Sequence, residues 1–526
     1  MSNVIVVGGG IAGLTASAYL ARSGLKPLLL EKENQCGGLM GSFVHDGFTY
    51  DWGIRATENS GILFPMLKQL GIDIQFVRNR ISLGVEDKTI IIDSEESVRD
   101  YQELLNSLYP DNGNEISKII TQIKKTMGYM KVQYDINNPT FLDPKEDLGY
   151  ILKKVIPWIF KYILTVPKIN KMNVPVVQYL ERYTRNHSLI DVLTQHFFKD
   201  MPAYFALSYL KIYLDYYYPV GGTGVLPSKL TSYIQTNGGE IKTNTRVSSI
   251  DPVEKQLTDS DGDRYDFNQL IWAADLGSLY NLIKSDKLRD SSLRQVILNR
   301  KEELKNKLGN DSVFSLYLAV DIEPEYFSEK CTEHFFFTPI RLGESSAGSI
   351  PYEANKETIK MWLDRFIELT TYEISIPVLR DSSLAPLGKT GLIVSALFDY
   401  HITKHIHEQG WYDEFREYLG DQMIEVLNES IYPGLKSSII HRFSSTPLSI
   451  EERTANTHGA ITGWAFTNDP IPSESRLPKI FSSTETPIPG VFQAGQWTYS
   501  PSGLPISILT GKLAADRVIS NIKRIK

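Results

Sequence analysis

The chain has 526 residues, 42% of them hydrophobic, and a formal net charge of −7. That length accommodates two or more domains with sizeable cores, and the charge gives no electrostatic case for a nucleic-acid partner. Two cysteines, Cys36 and Cys331, exclude a disulfide framework and any C-x-x-C redox or zinc site, and they suit a reducing, cytoplasmic setting. The first predicted element is the apolar strand Val4-Ile5-Val6-Val7, so no signal peptide is expected ahead of it.

That strand runs into Gly8-Gly9-Gly10-Ile11-Ala12-Gly13, a G-x-G-x-x-G turn, and the alanine-rich stretch Leu14 to Ser23 predicts a helix behind it. A second strand, Leu28-Leu29-Leu30, ends at Glu31 and Lys32. Together these form a complete β-turn-α-β unit for a dinucleotide. Gly8 permits the tight turn, Gly10 lets the backbone approach a pyrophosphate, and Gly13 lets the helix sit close to the strand. The helix N-terminus, at Ile11 and Ala12, offers N–H groups to the phosphates. Glu31 can accept both hydroxyl hydrogens of an adenosine ribose, and its charge repels a 2′-phosphate.

Next come Cys36-Gly37-Gly38-Leu39-Met40 and Asp46-Gly47-Phe48-Thr49-Tyr50-Asp51-Trp52-Gly53. Paired glycines allow a second close backbone approach to a pyrophosphate. Cys36 is expected near the cofactor, with no redox role. Both stretches resemble flavoproteins of the amine oxidase and phytoene desaturase superfamily. The resemblance implies FAD, bound around Gly37, Gly38, Leu39 and Met40, with Gly53, Ile54 and Arg55 against the isoalloxazine ring. Arg55 could stabilise an anionic reduced flavin or hold a polar end of a substrate; the alternative is a surface arginine paired with an acid. The resemblance continues through Pro219 to Gly224, which opens a predicted helix at Leu226 to Gln235. It continues in the predicted strand Ile241 to Asn244, in Val247, whose backbone holds adenine in relatives, and in the strand Leu270 to Asp275. It closes at Gly490 to Thr498, with Gly495 at the ribityl chain and Trp497 near the ring. From there Ser502-Gly503-Leu504-Pro505 leads to a final helix from Ile506.

Three further stretches resemble the phytoene desaturase, carotenoid isomerase and retinol saturase branch: Phe314 to Asp321 with His334 to Phe337, Asp381 to Lys389, and His458 to Gly463. Neither cysteine lies near residue 495, so the flavin is expected to be noncovalent. The resemblance implies chemistry on the double bonds of an apolar polyene: desaturation, saturation, or cis-trans isomerisation assisted by reduced flavin. No side chain stands out as acid or base; Arg55 and Trp497 are the catalytic candidates. The rivals are a flavin amine oxidase and a non-catalytic FAD-binding protein.

Segment 148–169 is the most hydrophobic of the chain, but lysines and two prolines interrupt it, and no run reaches the roughly twenty apolar residues of a spanning helix. It reads either as an interfacial helix for a membrane surface or as a helix packing on its own domain. Tyr204, Phe205, Tyr209, Tyr213 and Tyr216 to Tyr218 read as core packing or as the wall of a substrate tunnel, with Tyr209, Tyr213 and Tyr216 on one helix face. His401, His405 and His407 lack a completing cysteine or acid, so no metal is expected. There is no G-x-S-x-G elbow for a hydrolase.

The expected architecture is α/β: a discontinuous Rossmann-type FAD-binding domain (1–85, 215–295, 485–526) with an inserted α+β substrate domain (86–214, 296–484). The expected protein is cytoplasmic, or peripheral to a membrane, with an apolar small-molecule substrate; the oligomeric state is left open.

Overall fold

The protein is described by a computed structural model covering residues 3–476 and 479–525. Val4–Val7 is the central strand of a five-stranded parallel sheet. The order is Glu240–Lys242, Leu28–Leu30, Val4–Val7, Gln269–Trp272, Val491–Gln493. Strands drawn from three distant stretches of chain thus become neighbours. The central strand has no polar face because both of its faces are covered. Val4 and Val6 pack with the helices Ile11–Arg22, Val225–Thr236 and Leu504–Ile525. Ile5 and Val7 pack on the other side with Val247, Ile250 and Leu257, from the antiparallel meander Val247–Asp251, Gln256–Asp259, Arg264–Asp266. This is the period-two alternation of a strand.

Small residues set how closely these layers approach. A Cβ on Gly13 would lie 1.9 Å from the Gly8 carbonyl oxygen, and one on Gly511 would lie 2.4 Å from the Ala12 carbonyl oxygen. The first helix therefore rests directly on the turn before it and against the closing helix. Gly8 itself has φ 102°, which favours glycine.

A second, seven-stranded sheet has the order Ile439–Ser445, Ser312–Val320, Thr390–Phe398, Tyr372–Ser375, His334–Thr338, Ile81–Val85, Lys88–Ile92. It is antiparallel except where His334–Thr338 meets Ile81–Val85. The helices Lys356–Leu369 and Tyr412–Ser430 contribute to the core beside its long strands. A helical layer, including Ser97–Leu108, Gly113–Tyr134 and Val176–Leu180, packs on Ile81, Leu83 and Val85. Ile81–Val85 was expected within the nucleotide-binding part; the strand pairs and packs in the seven-stranded sheet.

The hairpin Ser42–His45/Phe48–Asp51 is tied to the chain around Tyr218 and Thr223 through one carboxylate. Asp51 is fully buried and accepts hydrogen bonds from Ser42 Oγ (2.7 Å), Tyr218 Oη (2.7 Å), and Thr223 N (2.9 Å) and Oγ1 (2.8 Å). A buried carboxylate is tolerated when its lone pairs are satisfied in this way.

Candidate functional site

A cavity of about 720 Å³ runs past the C-terminal ends of the parallel strands, where open α/β sheets bind ligands. Its lining includes the residues that follow four strands: Gly8, Glu31, Ala273 and Ala494. Gly10 caps the helix Ile11–Arg22 in extended backbone with no side chain on the free N–H groups. A Cβ on Gly10 would meet nothing within 4 Å, because that position opens into the cavity. The N-terminus of the closing helix, at Gly503 and Leu504, reaches the same space.

Glu31 is held rigidly. Its Oε2 accepts from Gly9 N at 2.5 Å, and its Oε1 accepts from Glu33 N at 2.9 Å. Burial raises its pKa, opposed by these two backbone bonds. Each oxygen keeps a further lone pair for a ribose hydroxyl. Thr245, Arg246, Val247 and Ser248 also line the cavity. Two helix N-termini, an open glycine and a preoriented carboxylate fit the pyrophosphate and ribose of FAD. Cys36 lies beside Gly9 and Glu31; burial pushes its thiol up to about 12, so it is an inert thiol rather than a nucleophile.

Gly8, Gly10, Ile11, Ala12, Glu31, Lys32, Gly37, Gly38, Leu39, Met40, Ile54, Val247, Gly495, Trp497, Gly503 and Leu504 all line the cavity. Gly13, Gly53 and Pro505 do not; the first two are close-approach positions, since a Cβ on Gly53 would lie 1.9 Å from the Leu39 oxygen. Arg55, expected against the isoalloxazine ring, sits apart from these lining residues. It is neither exposed nor on the cavity wall. Its guanidinium donates to the Asp51 carbonyl and to Ser395 Oγ at 3.0 Å, and sits 6.0 Å from the Tyr317 ring. The backbone turn after Gly53 directs this side chain to the seven-stranded sheet, where the paired Ser315 and Ser395 supply oxygens. Trp497 lies on the wall with its indole edge-on to Trp464, ring centroids 4.7 Å apart.

Part of the lining is aromatic: Phe198, Phe205, Tyr209 and Tyr216. Tyr209, Tyr213 and Tyr216 do not share a helix face, because Tyr209–Ile212 is a single turn and Tyr216 begins a strand. Their rings instead meet edge to face, 5.4 and 5.7 Å apart, with Tyr213 in the core behind the wall. Two wall residues gave no sequence signal. Glu58 lies among these aromatics, and Arg453 lies 3.4 Å from the Trp52 ring centroid, stacked over the indole. Each stands outside any motif, and only the fold brings it to the cavity.

His401, His405 and His407 do not converge; His405 bonds to Ala354 O and Gln409. Among the described residues, the one His/carboxylate group of metal-binding dimensions is His45, Asp46 and His441, away from the cavity wall.

The model of the flavin containing amine oxidoreductase family matches residues 184–519. The chain belongs to that family. A NAD(P)-binding Rossmann-like domain model matches residues 6–70. Among curated proteins, this flavoprotein is 22% identical to a 4,4'-diapophytoene desaturase (4,4'-diaponeurosporene-forming) of Staphylococcus aureus (strain COL), with 99% of each chain covered. It is 23% identical to a chloroplastic prolycopene isomerase of Daucus carota, covering 99% of this chain and 80% of that one. Among solved structures, an oxidoreductase from Methanosarcina mazei superposes with a TM-score of 0.58 at 15% identity, over 98% of this chain and 100% of that one. A putrescine oxidase double mutant does so with a TM-score of 0.59 at 12% identity, over 99% of each. These two share the fold. The protein is thus a flavin-dependent enzyme of this family, with FAD as its cofactor.

Proposed function

We propose that this flavoenzyme acts on carbon–carbon double bonds of a long apolar polyene, carotenoid- or retinoid-like, by desaturation, saturation or reduced-flavin-assisted cis-trans isomerisation. The observation that carries the reading is the aromatic part of the cavity, where Phe198, Phe205, Tyr209 and Tyr216 continue the space lined by Ile54 and Trp497. Flat apolar walls suit a conjugated chain, which has faces to stack and few polar groups to satisfy. Similarity to a diapophytoene desaturase and a prolycopene isomerase over 99% of this chain supports the same substrate class. Bound FAD would supply hydride exchange. The chain's part is to hold the polyene against the ring and to keep water out.

The substrate is expected to arrive from a membrane surface. Residues 148–170 form one continuous helical segment, with a π turn at Ile151–Val155. Leu152, Phe160, Ile163 and Leu164 are exposed on it, Phe160 at 66% and Leu164 at 69%, interleaved with Lys153, Lys154 and Lys161. Trp158 donates to the Val132 carbonyl and anchors the segment to the helix Gly113–Tyr134. Tyr162 and Tyr204 lie within electrostatic reach of Tyr499, beside the closing flavin motif. No helix among the described residues is long and apolar enough to cross a membrane.

Anaerobic incubation of the FAD-loaded protein with 4,4'-diapophytoene and with prolycopene, each under oxidised and reduced flavin, tests the reading. A red shift with oxidised flavin means desaturation, and a blue shift with reduced flavin means saturation. An isomer of equal mass means isomerisation. No change in any arm, together with peroxide release on adding amines, would replace this reading with an amine oxidase.

A further inference from the structure

Glu58 ends the short strand Thr57–Glu58, which pairs antiparallel with Tyr216 and Tyr217. Strand alternation sends the two side chains to opposite sides. Thr57 is buried and donates to Tyr217 O at 2.8 Å, while Glu58 joins the cavity wall with Tyr209 and Tyr216. Its Oε1 accepts a hydrogen bond from Ser60 Oγ; among the described residues Oε2 has no partner. Protein encloses the side chain, so the accessible surface it keeps faces the cavity.

The titratable groups around it are Asp215, Tyr134, Tyr209 and Tyr216. Asp215 accepts from Ser60 N at 2.6 Å, and the nearby Lys211 is engaged with Asp135 at 2.9 Å. Among the described residues, no cation therefore pairs with Glu58. A carboxyl with one free oxygen, walled by apolar rings, is oriented toward whatever fills the aromatic part of the cavity. We propose that Glu58 is the catalytic acid–base residue, exchanging a proton with the carbon skeleton of the substrate.

The step rests on the polyene reading. In a desaturation, bound oxidised FAD would be the electron acceptor, taking one C–H bond's electron pair as hydride. The neighbouring C–H bond breaks as its proton passes to the Glu58 carboxylate, and its electron pair becomes the new π bond. In a saturation Glu58 returns the proton, and bound reduced FAD would supply the hydride. In an isomerisation the proton is added and then removed, with no net redox change. Burial, with the Asp215 charge adding to it, lifts the Glu58 carboxyl to about 7, so both of its forms are populated at neutral pH.

The test uses full-length FAD-loaded protein with 4,4'-diapophytoene under oxidised flavin and prolycopene under reduced flavin. Glu58→Gln is expected to lower turnover by about 100-fold or more, the usual range for a proton-transfer residue, with FAD affinity and thermal unfolding unchanged. Glu58→Asp is expected to recover part of the loss and to displace the pH inflection. Infrared titration of the Glu58 carboxyl, with and without FAD, is expected to give a midpoint about 7. Should Glu58→Gln fail to fold, Glu58→Asp and the infrared titration carry the test. Wild-type turnover matched by Glu58→Gln, or a carboxyl midpoint at the ordinary 4.5, overturns the proposal and leaves the polyene reading standing. A wild type that converts neither polyene overturns both.

Discussion

Gly10 and Gly13 are three residues apart and do opposite things. At Gly10 an added side chain would meet only the cavity, whereas at Gly13 it would meet the Gly8 oxygen at 1.9 Å. Gly10→Val is therefore expected to leave the flavin-free protein within about 0.5 kcal/mol of wild type while abolishing FAD retention. Gly13→Ala should instead cost about 1–3 kcal/mol or more, because the helix must lift off the turn. Thermal unfolding of the apoprotein and flavin content after gel filtration separate the two. Glu31 combines both kinds of role, since its carboxylate holds Gly9 N and Glu33 N while lining the cavity. Glu31→Ala should raise the Kd for FAD on the order of 100-fold, the loss of two charge-assisted hydrogen bonds; quenching of flavin fluorescence on titration reads it directly. Equal affinity in the variant would place the ribose elsewhere.

Among the elements, the helical segment 148–170 is unusual because its exposed face is apolar. Leu152, Phe160, Ile163 and Leu164 cover no protein neighbour closely enough to be buried. The proposed function assigns this face to a bilayer surface, where the lysines would meet anionic headgroups. Phe160→Asp with Leu164→Asp is expected to abolish sedimentation with anionic liposomes while changing the unfolding temperature little, since both side chains are mostly solvent-exposed. Retained sedimentation in the double variant would assign membrane contact to another surface. The hairpin Ser42–His45/Phe48–Asp51 is the contrasting element, fixed on both sides. Asp51 ties it to Thr223 and Tyr218, and Arg55 ties its exit to Ser395 in the seven-stranded sheet.

For the molecule as a whole, the junction between the helical layer and the seven-stranded sheet carries half-buried acids. Asp311 accepts from Lys199 N at 2.5 Å, and Thr370 Oγ1 donates to Glu344 at 3.1 Å. Burial lifts Asp311 to about 6 and Glu344 to about 7, and Asp311 repels Glu344. Both folded values lie above the unfolded ones, so the stabilisation is complete below the unfolded pKa and is lost as pH rises through the folded values. The unfolding temperature is expected to fall between about pH 5 and pH 8. Asp311→Asn with Glu344→Gln should flatten that slope; an unchanged slope would place its origin elsewhere. The sequence by itself determined the nucleotide-binding motifs and the family resemblance. Val4–Val7, the glycine turn, Glu31 and the closing Gly495 and Gly503 announce themselves because each obeys a local rule of strand, turn or helix start. Only the tertiary structure decided that Ile81–Val85 joins the second sheet, that Arg55 turns away from the cavity, and that Glu58 and Arg453 reach its wall. Those outcomes depend on which face of a strand or turn meets a segment hundreds of residues away, and no local spacing encodes that pairing.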